Sequence, residues 1–221
     1  MTFIFRNRTQ AGQMLATKLT DYADKADTIV IGLTRGGVPV AYEIAKKLNL
    51  PLDICIVRKL GLPGYEELAI GAIASDGIRI LNDRIINELG ITIETIDAIA
   101  TKELLELKRR ESLYRGNLPY PNLSGKRIIL VDDGIATGST IRAAIGILKQ
   151  ENPKQIVLAV PVAPLAVYED LKAEVDQVVC LITPEPFYNV GMRYEDFSQV
   201  SDEEVNYLLN QSRLALASYS N

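Results

Sequence analysis

The run Ile128-Ile129-Leu130-Val131 is apolar at every position, so a strand built from it has no face to offer to water. Ile156-Val157-Leu158-Ala159-Val160 repeats the pattern. Strands of this kind need cover on both faces, which a parallel sheet flanked by helices provides. Short β-branched runs recur at Thr28–Leu33, Leu52–Val57, Leu68–Ala74, Arg127–Val131, Gln155–Val160 and Gln177–Ile182, most of them separated by segments with helical spacing. The expectation is an α/β fold: a twisted, mainly parallel sheet with helices on both faces. From Asn82 to Asn117 the pattern turns long, charged and helix-forming, with Gly90 as its obvious breaker, and predicts two helices inserted on the outside of the sheet. The charge run within it, Thr101 to Arg110, reads first as a solvated helix face. With no internal repeat or linker, one domain is expected over the 221 residues.

Composition removes several chemistries. The chain has no histidine, which excludes histidine acid–base catalysis, Ser-His triads and most zinc sites, so that any metal must be held by oxygen. Its two cysteines, Cys55 and Cys180, lie in strand-like apolar runs and read as small core residues. A net charge of −4 argues against a nucleic-acid partner while leaving room for a small anionic one. No apolar run approaches the roughly 20 residues that span a bilayer, and Arg6, Asn7 and Arg8 stand where a signal peptide would be hydrophobic, so a cytoplasmic protein is expected.

The chemistry concentrates where the strand ending at Val131 runs into Asp132-Asp133-Gly134-Ile135-Ala136-Thr137-Gly138-Ser139-Thr140. Small residues and hydroxyls from Ala136 to Thr140 lie at the start of a helix, where unpaired N–H groups and the helix dipole favour a phosphate monoester. Asp132 and Asp133, at the strand's carboxyl end, are placed to accept hydrogen bonds from the vicinal hydroxyls of a sugar carrying that phosphate. After Thr28–Leu33 comes Thr34-Arg35-Gly36-Gly37, in which paired glycines permit close backbone approach and Arg35 offers a forked cation to a pyrophosphate. After Leu52–Val57 comes Arg58-Lys59-Leu60-Gly61-Leu62-Pro63-Gly64, two cations leading into a glycine-punctuated loop that reads as a mobile lid. Without their context, the aspartates would read as a capping or turn pair and the two cations as a solubilising loop.

In these residues the chain resembles the type I phosphoribosyltransferases, whose signature is an apolar strand, two acidic residues and a loop ending in Thr-Gly and hydroxyl residues, here Ile128 to Thr140. The likeness extends to Arg35-Gly36-Gly37, and Thr34 to Ala41 with Val57 to Gly61 and Ala69 to Ile73 is similar to a bacterial branch of that family without a firm substrate. The resemblance implies the type I fold with a small hood from the C-terminal part and the N-terminal segment Thr2 to Arg8. It also implies transfer of the 5-phosphoribosyl group of 5-phosphoribosyl-1-pyrophosphate (PRPP) to a small nitrogen acceptor, with release of pyrophosphate. On that likeness Asp132 and Asp133 hold the ribose, Gly134 and Ala136 to Thr140 bind the 5′-phosphate, and Arg35, Gly36 and Gly37 bind the pyrophosphate. Arg58 and Lys59 then stabilise the leaving group, magnesium sits near Asp132 and Asp133 through water, and the protein is a homodimer.

The likeness has gaps. Ala136 stands where 6-oxopurine members carry an aspartate, and the strand from Gln155 runs into Pro161-Val162-Ala163-Pro164 without their lysine, so no base catalyst is identified. Phe187, with Tyr188 in reserve, is the candidate to stack on the acceptor, against the plainer reading of an aromatic plugging the core. Asp76-Gly77 reads as a hairpin turn, and Glu66 and Glu67 as exposed. Two other classes remain open: a PRPP-binding regulator without turnover, and a hydrolase of nucleotides or of PRPP.

Overall fold

A computed structural model describes residues 3–74, 77–116 and 118–219, with the side chains of 66–69 and 218–219 left undescribed. Five strands form one parallel sheet in the order β2-β1-β6-β7-β8: β1 (Thr28–Leu33), β2 (Leu52–Cys55), β6 (Arg127–Val131), β7 (Gln155–Val162) and β8 (Gln177–Ile182). The apolar runs fill both faces as the sequence requires. Ile128, Leu130, Ile156 and Leu158 join one buried cluster, while Ile129, Val131, Val157 and Ala159 join another on the opposite face. The β6 residues Ile128 to Val131 are 0% exposed, and each contributes about 1.5–3 kcal/mol by leaving water.

Helix α5 (Ser139–Gln150) covers the first face through Ile141, Ala144, Ile145 and Leu148, beside α6 (Leu165–Leu171). Helices α1 (Arg8–Ala16) and α2 (Gly37–Leu48) cover the other, with α4 (Ile93–Arg115) and α7 (Asp202–Tyr219) packed onto the same cluster. The hood joins the two ends of the chain. Phe5 N–H donates to the Arg193 carbonyl and Glu195 N–H to the Phe5 carbonyl, both at 2.8 Å. The Phe5, Tyr194 and Phe197 rings stack in series at 5.4 and 5.0 Å.

Five expectations are corrected. The run Leu52–Val57 is not one strand: the ladder with β1 ends at Cys55, and a new strand, β3 (Val57–Leu62), begins after Ile56. Arg58 to Leu62 is therefore strand rather than lid loop, because it pairs antiparallel with β4 (Tyr65–Ala74) across a turn at Pro63-Gly64. Leu68–Ala74 accordingly lies in a second, antiparallel sheet, β3-β4-β5, with β5 at Arg79–Leu81. The two inserted helices are α3 (Asp83–Leu89) and α4, but α4 is not merely outside: Ile96, Ile99, Ala100, Leu107 and Tyr114 are buried against β3 and β4 side chains Leu60, Ile70 and Ile73. β7 also runs on through Pro161 to Val162. That extension lies beyond its last pairing with β6, at Ala159, and its register with β8 steps over Pro161, from Val160 opposite Cys180 to Val162 opposite Ile182.

Arg115, 5% exposed, closes α4 onto β2 by donating two hydrogen bonds of 2.8 and 2.9 Å to the Asp53 carboxylate. Cys55 is buried and Cys180 half-buried, where burial pushes the Cys180 thiol up to about 11. Thr2, Asp76 and Asn117, with the side chains of Glu66 and Glu67, lie outside the described residues. Among the described residues, no helix is long and apolar enough to cross a membrane.

Candidate active site

β1 and β6 are adjacent and parallel, so their carboxyl ends bring the Thr34–Gly37 turn beside Asp132 and Asp133. The approach is as close as glycine allows: a Cβ on Gly36 would fall 2.0 Å from Asp133 Oδ2, and one on Gly37 would fall 2.6 Å from the Val131 carbonyl and 2.9 Å from Asp132 Cα. The paired glycines thus let the chain pass over the acidic pair as α2 begins, and the Thr34–Arg35 peptide bond is cis. Arg35, half-buried, faces Asp202 at the start of α7 at 3.5 Å, and the Tyr114 hydroxyl of α4 donates to the same carboxylate.

The hydroxyl loop is held by local bonds. Gly138 takes the left-handed conformation, φ 80°, as the residue before α5, and Thr137 Oγ1 and Ser139 Oγ lie 3.1 Å apart. Arg142 Nη1 fixes the turn from within α5 by donating to the Thr137 carbonyl at 3.0 Å. Ala136, Thr137, Ser139 and Thr140 are exposed, leaving hydroxyls and the first-turn N–H groups of α5 open to a ligand. Gly134 and Ile135 lead into this loop, the latter through an N–H bond of 2.8 Å to the Val162 carbonyl.

The acidic pair is held from far away in the chain. Arg8, 11% exposed, donates from Nε to Asp133 Oδ2 at 2.8 Å, its Nη2 lies at the same distance, and its Nη1 donates to the Ser198 carbonyl at 2.7 Å. The Arg8 guanidinium rests 4.0 Å above the Phe197 ring, and the Tyr194 hydroxyl donates to the Asp133 carbonyl at 2.6 Å. Burial raises both carboxyls; the neighbouring Asp133 adds to the rise at Asp132, whereas Arg8 opposes it at Asp133. Arg8 and Tyr194 are the residues that sequence reasoning missed. The Arg8–Asp133 contact spans 125 positions, and no local pattern signals it.

Arg58 and Lys59 lie on β3 of the second sheet. Arg58 on β3 pairs with Glu103 of α4, and both cations line a cleft between β3 and α4. Phe187 is half-buried after β8 and Tyr188 is 71% exposed, so neither fills the core. Among the described residues no cluster of three or more acidic or cysteine ligands exists. Asp132 and Asp133 supply only two neighbouring carboxylates, the hard oxygen donors that a largely hydrated magnesium ion takes, and Asp133 Oδ2 already pairs with Arg8.

An acidic pair and a hydroxyl loop at the start of a helix, set at the carboxyl ends of a parallel sheet, stand at the edge where open α/β proteins bind their ligands. Residues 4–196 match the family model for the phosphoribosyl transferase domain, and the chain belongs to that family. It is 43% identical over 209 residues to a Mycobacterium tuberculosis H37Rv protein named provisionally as a phosphoribosyl transferase. That match covers 95% of this chain and 47% of the relative, so the chain spans about half the length of the curated relatives it matches most fully. The bifunctional protein PyrR of Listeria monocytogenes is 35% identical over 107 residues, covering 44% of this chain and 58% of PyrR. Among solved structures, TT1426 from Thermus thermophilus superposes with a TM-score of 0.85 at 38% identity, covering 95% of this chain and 99% of its own.

Proposed function

We propose that the chain transfers the 5-phosphoribosyl group of PRPP to a small nitrogen acceptor in the cytoplasm. The observation that carries this reading is the close approach of Gly36 and Gly37 to Asp132 and Asp133, beside the open Thr137–Thr140 loop. The loop and the first turn of α5 bind the 5′-phosphate, which fixes the ribose over the acidic pair. Asp132 and Asp133 accept hydrogen bonds from the two ribose hydroxyls. Arg35, with the backbone of Gly36 and Gly37, receives the pyrophosphate. The anomeric carbon–oxygen bond to pyrophosphate breaks, the carbon–nitrogen bond forms on the opposite face, and the acceptor's proton leaves to solvent. Positioning and charge stabilisation carry most of the rate. Magnesium, held through water by Asp132 and Asp133, would supply positive charge to the departing pyrophosphate. Phe187, half-exposed beyond β8, stacks on the acceptor, with Tyr188 as the alternative. A homodimer is proposed on family membership.

A second reading, a PRPP-binding regulator without turnover, draws support from Arg8, which already pairs with Asp133 Oδ2, one of the two oxygens that carboxylate could offer to a ribose. Pyrophosphate release from PRPP and magnesium, measured across purine, pyrimidine and other nitrogen acceptors, separates these readings. Release that requires one acceptor and both aspartates supports the transferase. Release without an acceptor makes the chain a hydrolase, and saturable PRPP binding without release makes it a regulator.

A further inference from the structure

Helix α7 begins beyond the family-matched stretch 4–196, and it brings a carboxylate to Arg35. Its first turn suits a fixed negative charge. The Ser201 hydroxyl accepts from the Glu204 N–H at 3.1 Å, and Asp202 follows in the first turn, where a helix dipole favours negative side chains. Val205 and Leu209, 0% and 1% exposed, anchor the helix in the core. The Asp202 carboxylate is also held from α4. Tyr114, 2% exposed, donates its hydroxyl to Asp202 Oδ1, and the next residue, Arg115, clamps that end of α4 to Asp53 of β2.

Arg35 is the loose member of this network. Its Nη1 lies 3.5 Å from the same Asp202 Oδ1, and both side chains are 29% exposed. One guanidinium nitrogen thus faces a fixed carboxylate, which leaves the other donors of the fork for a second, bidentate anion. The carboxylate also repels that anion, but at this exposure water screens the repulsion. An arginine with free rotamers, by contrast, loses much entropy when the ligand itself has to fix it. Ordering outweighs repulsion on this account.

We propose that Asp202, held by Tyr114, is a positioning residue that keeps Arg35 ready for pyrophosphate. The inference rests on the proposed pyrophosphate role of Arg35 and adds to the site a helix that neither the phosphate loop, the acidic pair nor the paired glycines include.

The test is calorimetric titration of the full chain with magnesium and inorganic pyrophosphate and, separately, with ribose 5-phosphate, which calls only on the hydroxyl loop and the acidic pair. The wild type is compared with Arg35→Ala, Asp202→Asn, Tyr114→Phe, the double variant Arg35→Ala/Asp202→Asn, and Glu203→Gln, which removes an exposed charge from the same turn of α7. Pyrophosphate binding should weaken about tenfold or more in Arg35→Ala, about fivefold in Asp202→Asn and about two- to threefold in Tyr114→Phe. Glu203→Gln should change it less than about twofold, and the double variant should be no weaker than Arg35→Ala within about twofold, because the carboxylate acts only through the arginine. Ribose 5-phosphate affinity should stay within about twofold in every variant, which also shows that each is folded. Unchanged or tighter pyrophosphate binding in Asp202→Asn, an equal loss in Glu203→Gln, an equal loss for ribose 5-phosphate, or additive losses in the double variant would each overturn the proposal. If Arg35→Ala weakens pyrophosphate and Asp202→Asn does not, only this inference fails. If Arg35→Ala leaves pyrophosphate binding unchanged, the pyrophosphate role of Arg35 fails and the inference falls with it.

Discussion

The hydroxyl loop and the acidic pair meet the same crevice but are built in opposite ways. Thr137, Gly138 and Ser139 are held by neighbours within a few positions and by Arg142 of the helix they start, and they remain exposed. Asp132 and Asp133 sit under the hood, fixed by Arg8, Tyr194 and the two glycines of another loop, all distant in sequence. A phosphate receptor can be made locally because it needs only free N–H groups and a helix end. Two adjacent, poorly solvated carboxylates need a counter-charge, which here has to be brought from elsewhere in the chain.

The largest expected effect of this difference falls on stability. Arg8→Ala strips the counter-charge from a carboxylate that is 14% exposed and should lower unfolding free energy by about 3 kcal/mol, read by urea denaturation, with Arg8→Lys recovering part. A loss below about 0.5 kcal/mol, the size of an ordinary surface substitution, would break the contrast. Gly36→Ala comes next. Its Cβ would land 2.0 Å from Asp133 Oδ2, so the carboxylate must swing away, at about 1–3 kcal/mol of stability and with loss of measurable PRPP binding. Unchanged PRPP affinity in that variant would mean that the close approach is incidental. Thr137→Ala should have the smallest effect, leaving the unfolding midpoint in place while weakening PRPP by roughly five- to tenfold, the worth of about one hydrogen bond. A marked fall in stability would show that the loop, too, depends on distant support.

The same contrast explains what was legible in the sequence. The parallel sheet could be read because Ile128–Val131 and Ile156–Val160 are apolar on both faces, and the hydroxyl loop because its glycine, hydroxyls and helix start lie in one stretch. The β3–β4 hairpin was hidden because Arg58-Lys59 and Gly61 look like loop chemistry until the antiparallel partner from Tyr65 to Ala74 is known. The register shifts beside Gly61 show where that glycine serves as a bulge rather than a hinge. Burial along α4 was likewise concealed by the charges between Ile96 and Tyr114, since the packed stripe and the cation-bearing face interleave on one helix. Arg8 gave no signal because a counter-ion needs only to arrive in space.

The most direct measurement is the titration of PRPP with magnesium into the wild-type chain and into Asp132→Asn and Asp133→Asn, with circular dichroism on each protein. Saturable binding by the wild type, weakened about tenfold or more in either variant while the spectrum stays native, is the predicted result. Equal PRPP affinity in all three proteins with native spectra would contradict the assignment of the acidic pair and, with it, the proposed transfer.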